Sequence, residues 1–300
     1  MDDAPYHRST GQETGMDAVE AITVLGGVAT TQELLRCTSR RRLRSAVGAG
    51  RVVRVGPRRW ALPGVDDARA AAARLGGVVS HLSAAQHWGW KLKLPPALPC
   101  VTVPRRSCRL DSDGVELHWA DLRREDVSRG VTEPLRTVVD CARTYPFDVA
   151  LAVADSALRA GLDRVDLLAV AGHAPRTGRR RALRVVERAD DRADNPFESV
   201  LRALAIDAGL DVEPQQWVGR VGRVDLHDRA RALVIEADSF EFHADRAGLR
   251  RDVRRYTSFV RLGQRVARFT WEEVMFEQDY VLDVLRDLRV GATRPSSWHR

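Results

Sequence analysis

Two short segments carry the most chemistry in this 300-residue chain, Arg223-Val224-Asp225-Leu226 and Leu233-Val234-Ile235-Glu236-Ala237-Asp238. Both have the apolar, β-branched character of strands, so Glu236 and Asp238 project from one face while Ala237 points to the other. A turn near Ala230-Arg231 would set Asp225 opposite Glu236 on an antiparallel neighbour. Three carboxylates on one sheet face repel one another unless a cation lies between them. An all-oxygen set of this kind suits Mg²⁺ or Mn²⁺. Such an ion activates water and offsets the charge that develops on a scissile phosphate. The plain alternative is a set of solvated strand acids. Glu236, however, ends a strongly apolar strand, where an acid without a partner is costly to bury.

A second chemistry is concentrated near the N-terminus. Between Arg36 and Trp60 there are nine arginines (36, 40, 41, 42, 44, 51, 54, 58 and 59) and no acid. On an exposed helix, Arg40, Arg41, Arg42 and Arg44 would reach base edges and phosphates, with Arg51, Arg54, Arg58 and Arg59 flanking them. Double-stranded DNA is the partner this predicts. The chain holds only two lysines, Lys91 and Lys93, against a net charge of +7. Arginine therefore also stands in for ordinary surface lysine, and the clustering carries more information than the total. A second run, Arg176 to Arg184, holds five arginines; it serves equally well as a DNA contact or as a solvated face.

These residues need elements to position them. Ala18, Ile22 and Leu25 predict a short helix. Thr30 or Thr31 caps a second through Leu34-Leu35, and Ser39 caps a third over Arg40–Val47. Val52–Val55 and Trp60–Leu62 then predict a hairpin around Gly56-Pro57-Arg58-Arg59. Three helices followed by a hairpin is the order of a winged helix-turn-helix, assigned to residues 16–65, after a tail over 1–15. Residues 66–190 mix helices and strands and are expected to form a middle α/β domain. A polar linker, Asp190–Pro196, leads to a third domain over 191–290: a helix at 198–208, strands at 212–218, 221–227 and 233–238, a helix at 252–262, a strand at 266–269 and a long helix over 271–288. Residues 291–300 are read as a tail. The fold class is α+β.

Motifs in the first 190 residues resemble the AbiEi-type antitoxins. Gly27–Leu34, Gly50–Val55 and Trp60-Ala61-Leu62 resemble their winged helix. Ser80-His81-Leu82-Ser83-Ala84-Ala85 with Trp88-Gly89, Pro134–Asp140 and Val153–Leu158 resemble their second domain. The resemblance implies an autoregulating transcription factor, paired with a nucleotidyltransferase-like toxin. The last hundred residues resemble the very-short-patch-repair-like branch of the PD-(D/E)XK endonucleases, through Glu198, Asp225, Glu236, Asp238, His243, Asp252, Arg255 and Arg268-Phe269. That resemblance implies metal ligation by Asp225 and Glu236 with Glu198, assistance from Asp238, proton transfer or water orientation by His243, and a phosphate contact by Arg255. Two positions depart from the pattern: Asp238 stands where the superfamily motif has lysine, and Ser239 follows it where glycine is usual.

Other signals are weaker. Cys37, Cys100, Cys108 and Cys141 are scattered without a C-x-x-C pair or finger-spaced histidines, so they predict reduced, mostly buried thiols and no zinc site. His81, His87 and Trp88–Trp90 have the spacing of core residues. No apolar run reaches the ~18 residues of a membrane span, and the first residues lack a signal-peptide pattern, which predicts a cytoplasmic protein. Two functions are compatible with all of this. One is a winged-helix DNA-binding protein carrying a Mg²⁺-dependent endonuclease or nickase. The other is an antitoxin-like transcriptional repressor whose nuclease-like domain is inactive.

Overall fold

The computed structural model describes residues 15–107, 112–238 and 246–290. The chain is α+β. It begins α1 (Ala18–Val24), β1 (Val28–Thr30), α2 (Thr31–Cys37), α3 (Arg40–Gly48), β2 (Val53–Gly56) and β3 (Arg59–Ala61). Next come α4 (Asp67–Leu75), β4 (Val78–Val79), α5 (His81–His87), β5 (Cys100–Val103), β6 (Glu116–Trp119), β7 (Val127–Ser128) and β8 (Val131–Thr132). A helical run follows: α6 (Pro134–Thr144), α7 (Phe147–Arg159), α8 (Arg164–His173), α9 (Arg176–Arg188) and α10 (Pro196–Asp207). The remainder is β9 (Glu213–Val218), β10 (Gly222–Asp228), β11 (Leu233–Asp238), α11 (Arg246–Arg261), β12 (Arg265–Thr270), α12 (Trp271–Phe276) and α13 (Gln278–Val290).

These elements form two compact units interleaved in sequence, one of residues up to 79 with 98–131, the other of 80–97 with 132 onward. The stretch 66–190, expected as one domain, is thus divided between them. Strand pairing is the reason: β4 takes β5 on one side and β8 on the other, which draws 98–131 to the first unit. The expected tails lie outside the described residues, Gly15 excepted. No described helix is long and apolar enough to cross a membrane.

In the first unit, side-chain caps define the three leading helices. Asp17 accepts from Val19 N, Thr30 and Glu33 form a reciprocal capping box, and Ser39 accepts from Arg42 N. Each cap satisfies amide groups that a helix start leaves without partners. Ala18, Ile22, Leu34, Leu43, Ala46 and Val52 make the small core beneath them. The hairpin is joined by a third strand, giving the order β1-β3-β2. Its tip is tied to α2, since Thr31 N donates to the Arg58 carbonyl and Trp60 Nε1 donates to Thr31 Oγ1 at 2.8 Å. A second sheet runs β6-β5-β4-β8-β7. At Gly77 a Cβ would stand 2.6 Å from the Thr102 carbonyl, so only glycine allows the chain this close to β5.

The second unit packs α6, α7, α9 and α10 together beside a four-stranded sheet of order β12-β11-β10-β9. β9, β10 and β11 are successively antiparallel, and β12 returns parallel to β11. Residues 190–196 are not a linker. Asp190 N donates to Asp155, Ala193 is fully buried, and Asn195 caps α10. The buried Arg202 of α10 forks onto both oxygens of Asp155 in α7 at 2.6 Å and also reaches the Arg188 carbonyl. The helix expected over 271–288 is two helices, divided at Glu277.

Candidate functional site

The three segments bearing the acids meet in the second unit. The pairing of β10 with β11 runs Asp228↔Leu233, His227↔Val234 and Leu226↔Ile235. One step further stand Asp225 and Glu236, side by side as expected. The strand does not continue flat there. Val224 packs with Val218, Val234 and Phe259 on one face of the sheet, while Leu226 packs with Leu233 and Ile235 on the other. Residues two apart on a regular strand share a face, so β10 turns over at Asp225. On its other side β9 is also irregular, with Gln215 in left-handed backbone at φ +57°. Asp225 therefore sits in a gap between two disrupted ladders, and its Oδ2 accepts from Ala237 N at 2.8 Å.

The carboxylates crowd one another. Asp225 and Glu236 are close neighbours, and each acts on the carboxyl of the other. Burial, followed by the charge of Asp225, pushes Glu236 up to about 8. Burial likewise raises Asp225. Arg255 of α11 opposes this: its Nη2 donates to Glu236 Oε1 at 2.8 Å and to the Arg223 carbonyl at 2.6 Å. Its Nε is buried without a partner among the described residues. Asp238 lies on the same side of β11 and is paired with Arg268, which stacks over the Tyr256 ring at 4.1 Å.

Glu198 approaches from α10 and is held by three donors: Asp194 N at 2.9 Å, Asn195 Nδ2 at 2.8 Å and Gln215 Nε2 at 2.7 Å. Burial raises its carboxyl to about 7, and the charges of Asp225 and Asp194 add to this. With both oxygens engaged, Glu198 is placed as a neighbour of the pair, not as an open ligand. Among the described residues no group of three or more His, Cys, Asp or Glu is arranged to hold a metal ion. His243 lies outside the described residues. Sequence reasoning missed Gln215 and Tyr256 as parts of this cluster. Arg268 was visible as an R-F strand motif, but a left-handed glutamine leaves no trace in sequence.

The arginines of the first unit divide by role. Arg40, Arg41 and Arg44 are exposed along α3, opposite the buried Leu43 and Ala46. Arg54 and Arg58 are exposed on the hairpin, and Arg51 is exposed beside Asp17. Two expected contacts are corrected. Arg42 turns inward, where Nη1 donates to the Met16 carbonyl at 3.2 Å. Arg59 is half-buried against Gly76 at the end of α4. In the basic run of α9, Arg179, Arg181 and Arg184 are committed to the Ala174 carbonyl, the Tyr145 carbonyl and Asp207. Cys37, Cys100 and Cys141 take part in no disulfide among the described residues, while Cys108 lies outside them.

No family model matches the chain. Two uncharacterized proteins of Mycobacterium tuberculosis, one from each of two strains, are 33% identical over 156 residues. The match covers 50% of this chain and 58% of each relative, so the chain spans less than two thirds of their length. A crystal structure of another M. tuberculosis protein aligns over 66% of this chain and 83% of its own, with a TM-score of 0.32 and 18% identity.

Proposed function

We propose that the chain is a DNA-binding protein that couples a winged helix-turn-helix, residues 16–65, to a metal-dependent phosphodiester hydrolase of PD-(D/E)XK type. The observation that carries this reading is the Asp225–Glu236 pair, set edge to edge where β10 turns over. Two buried carboxylates so close are stabilised by a shared proton or by a bound cation. Hard carboxylate oxygens suit Mg²⁺ or Mn²⁺, and Asp225 and Glu236 are the residues that would hold the ion. When bound, it would supply a polarised water and offset charge on the phosphate. The helix, three-strand, helix, strand order from α10 to β12 also agrees with the nuclease resemblance.

The chain's own groups have definable parts in this scheme. Arg255 orients Glu236 through its 2.8 Å hydrogen bond, and as a half-exposed cation beside the acids it would face a phosphate. Glu198, titrating near neutrality, can accept or return a proton beside Asp225. Asp238 is tethered by Arg268 and would keep the acidic face together. In the first unit, α3 would present Arg40, Arg41 and Arg44 to the major groove, with Arg58 at the wing tip on the backbone.

A specific observation favours a second reading, an antitoxin-like repressor with an inactive nuclease-like unit. Arg255 and Arg268 already neutralise Glu236 and Asp238 without any ion. Supercoiled plasmid with Mg²⁺ or Mn²⁺, compared between wild type and Asp225→Ala/Glu236→Ala, separates the two. Metal-dependent nicking that the double variant loses supports the enzyme. Salt-sensitive DNA binding with no nicking by wild type supports the repressor.

A further inference from the structure

The outer face of α11 is the largest set of uncommitted cations in the second unit. Arg250, Arg251, Arg254 and Arg261 are exposed and have no hydrogen-bond or ion-pair partner among the described residues. Elsewhere in this unit arginines are mostly tied down: Arg143, Arg164, Arg179, Arg181 and Arg202 all donate to backbone carbonyls. A helix that leaves four guanidinium groups in solvent while its inner face supplies Arg255 to Glu236 is therefore exceptional within this fold.

Their spacing is that of a track. Arg250, Arg254 and Arg261 fall at i, i+4 and i+11, on one side of the helix and across roughly 16 Å at 1.5 Å per residue. One strand of a duplex presents about five phosphates over that length of its axis. Between the arginines the same surface exposes Val253 and Val260, at 56% and 66%. Among the described residues no aromatic ring is exposed on it, and single-strand binding platforms depend on aromatic stacking. A second copy docked through this face would set arginines against arginines. We infer that the outer face of α11 binds the phosphate backbone of a nucleic-acid duplex, sequence-independently, as a contact separate from α3. This rests on the nucleic-acid function proposed above.

The test uses the full chain and a fluorescent random-sequence DNA duplex, titrated across a range of salt concentrations. It compares wild type, Arg250→Gln/Arg254→Gln/Arg261→Gln, and Arg40→Gln/Arg44→Gln. The α11 variant is expected to bind at least about tenfold more weakly at 0.1 M salt, with the slope of log K against log[salt] reduced by about 2 to 3. The loss should be equal for unrelated sequences, and the thermal midpoint should be unchanged because the three side chains are exposed. Wild-type affinity and slope in the α11 variant, alongside weakened binding in the α3 variant, would overturn this inference and leave the proposed function standing. Absence of duplex binding by wild type at low salt would overturn both. A change in self-association without a change in duplex binding would assign the face to a second copy and also overturn the inference.

Discussion

Gln215 Nε2 donates to Glu198 Oε2 at 2.7 Å from a residue whose backbone is left-handed, at φ +57°. A non-glycine residue held there stores conformational strain, and here the strained residue grips the helix carboxylate beside Asp225. Gln215→Gly acts on both. Glycine relieves the backbone but removes one of three donors to the carboxylate. Burial has raised the Glu198 carboxyl to about 7 against the pull of Gln215; without it the midpoint should rise further, by carboxyl carbon-13 NMR. A midpoint that stays or falls would count against this role for Gln215.

Stability should fall as pH rises. Glu198 and Glu236 titrate at about 7 and about 8 in the folded chain, above the ordinary carboxyl value of 4.5. The folded state then binds protons more tightly than the unfolded state throughout that interval. Their stabilising contribution is complete below about 4.5 and is lost as pH rises through about 7 to 8. The thermal midpoint should therefore decline across this window, and the decline should be shallower in Asp225→Asn. If the pair holds Mg²⁺, excess Mg²⁺ should raise the midpoint more at about pH 8 than at about pH 6, because protons compete for the same oxygens. A midpoint that climbs with pH in wild type contradicts the assignment of these carboxyls.

Arg202→Leu should be among the most damaging substitutions in the second unit. It leaves Asp155, which is fully buried, without its counter-charge, at a cost of about 3–5 kcal/mol. Arg202→Leu/Asp155→Leu should recover part of that loss, since no isolated charge remains. Urea titration of the three proteins decides it, and a double variant weaker than the single would show that the fork contributes more than charge balance.

Thr31→Ala probes the hairpin. Thr31 Oγ1 accepts from Trp60 Nε1 at 2.8 Å, and its loss strands a half-buried indole N–H. The expected cost is about 1–2 kcal/mol. If the hairpin works as a wing, duplex affinity should drop with it, even though no charge has been removed. Affinity unchanged at reduced stability would place the hairpin outside the interface.

Much of this was legible in the sequence because local signals were strong. Thr30 or Thr31, and Ser39 before the arginines, mark two helix starts that the structure shares, with Thr30 as the cap of the first. The period-two pattern of 233–238 and the turn before it located Asp225 beside Glu236. What stayed hidden depended on long-range pairing. Val28–Thr30 is too short to read as a strand, and it becomes one only because β3 passes alongside. Arg42 and Arg59 look like their neighbours in composition, and only the docking of Met16 and Gly76 decides that they face inward. Residues 190–196 have the polarity of a linker, but their acids and amides are used to lock α7 to the start of α10.

The interleaving of the two units bears on how the chain is made. β4 pairs with β8 through Val79 and Val131, positions separated by 52 residues in synthesis. At roughly 5–20 residues per second the ribosome takes about 3–10 s to cover that distance. During this delay the first unit lacks one flank of its second sheet, while residues 80–97, which belong to the other unit, have already left the exit tunnel. The nascent chain therefore carries β4 with one flank unpaired until Val131 has emerged.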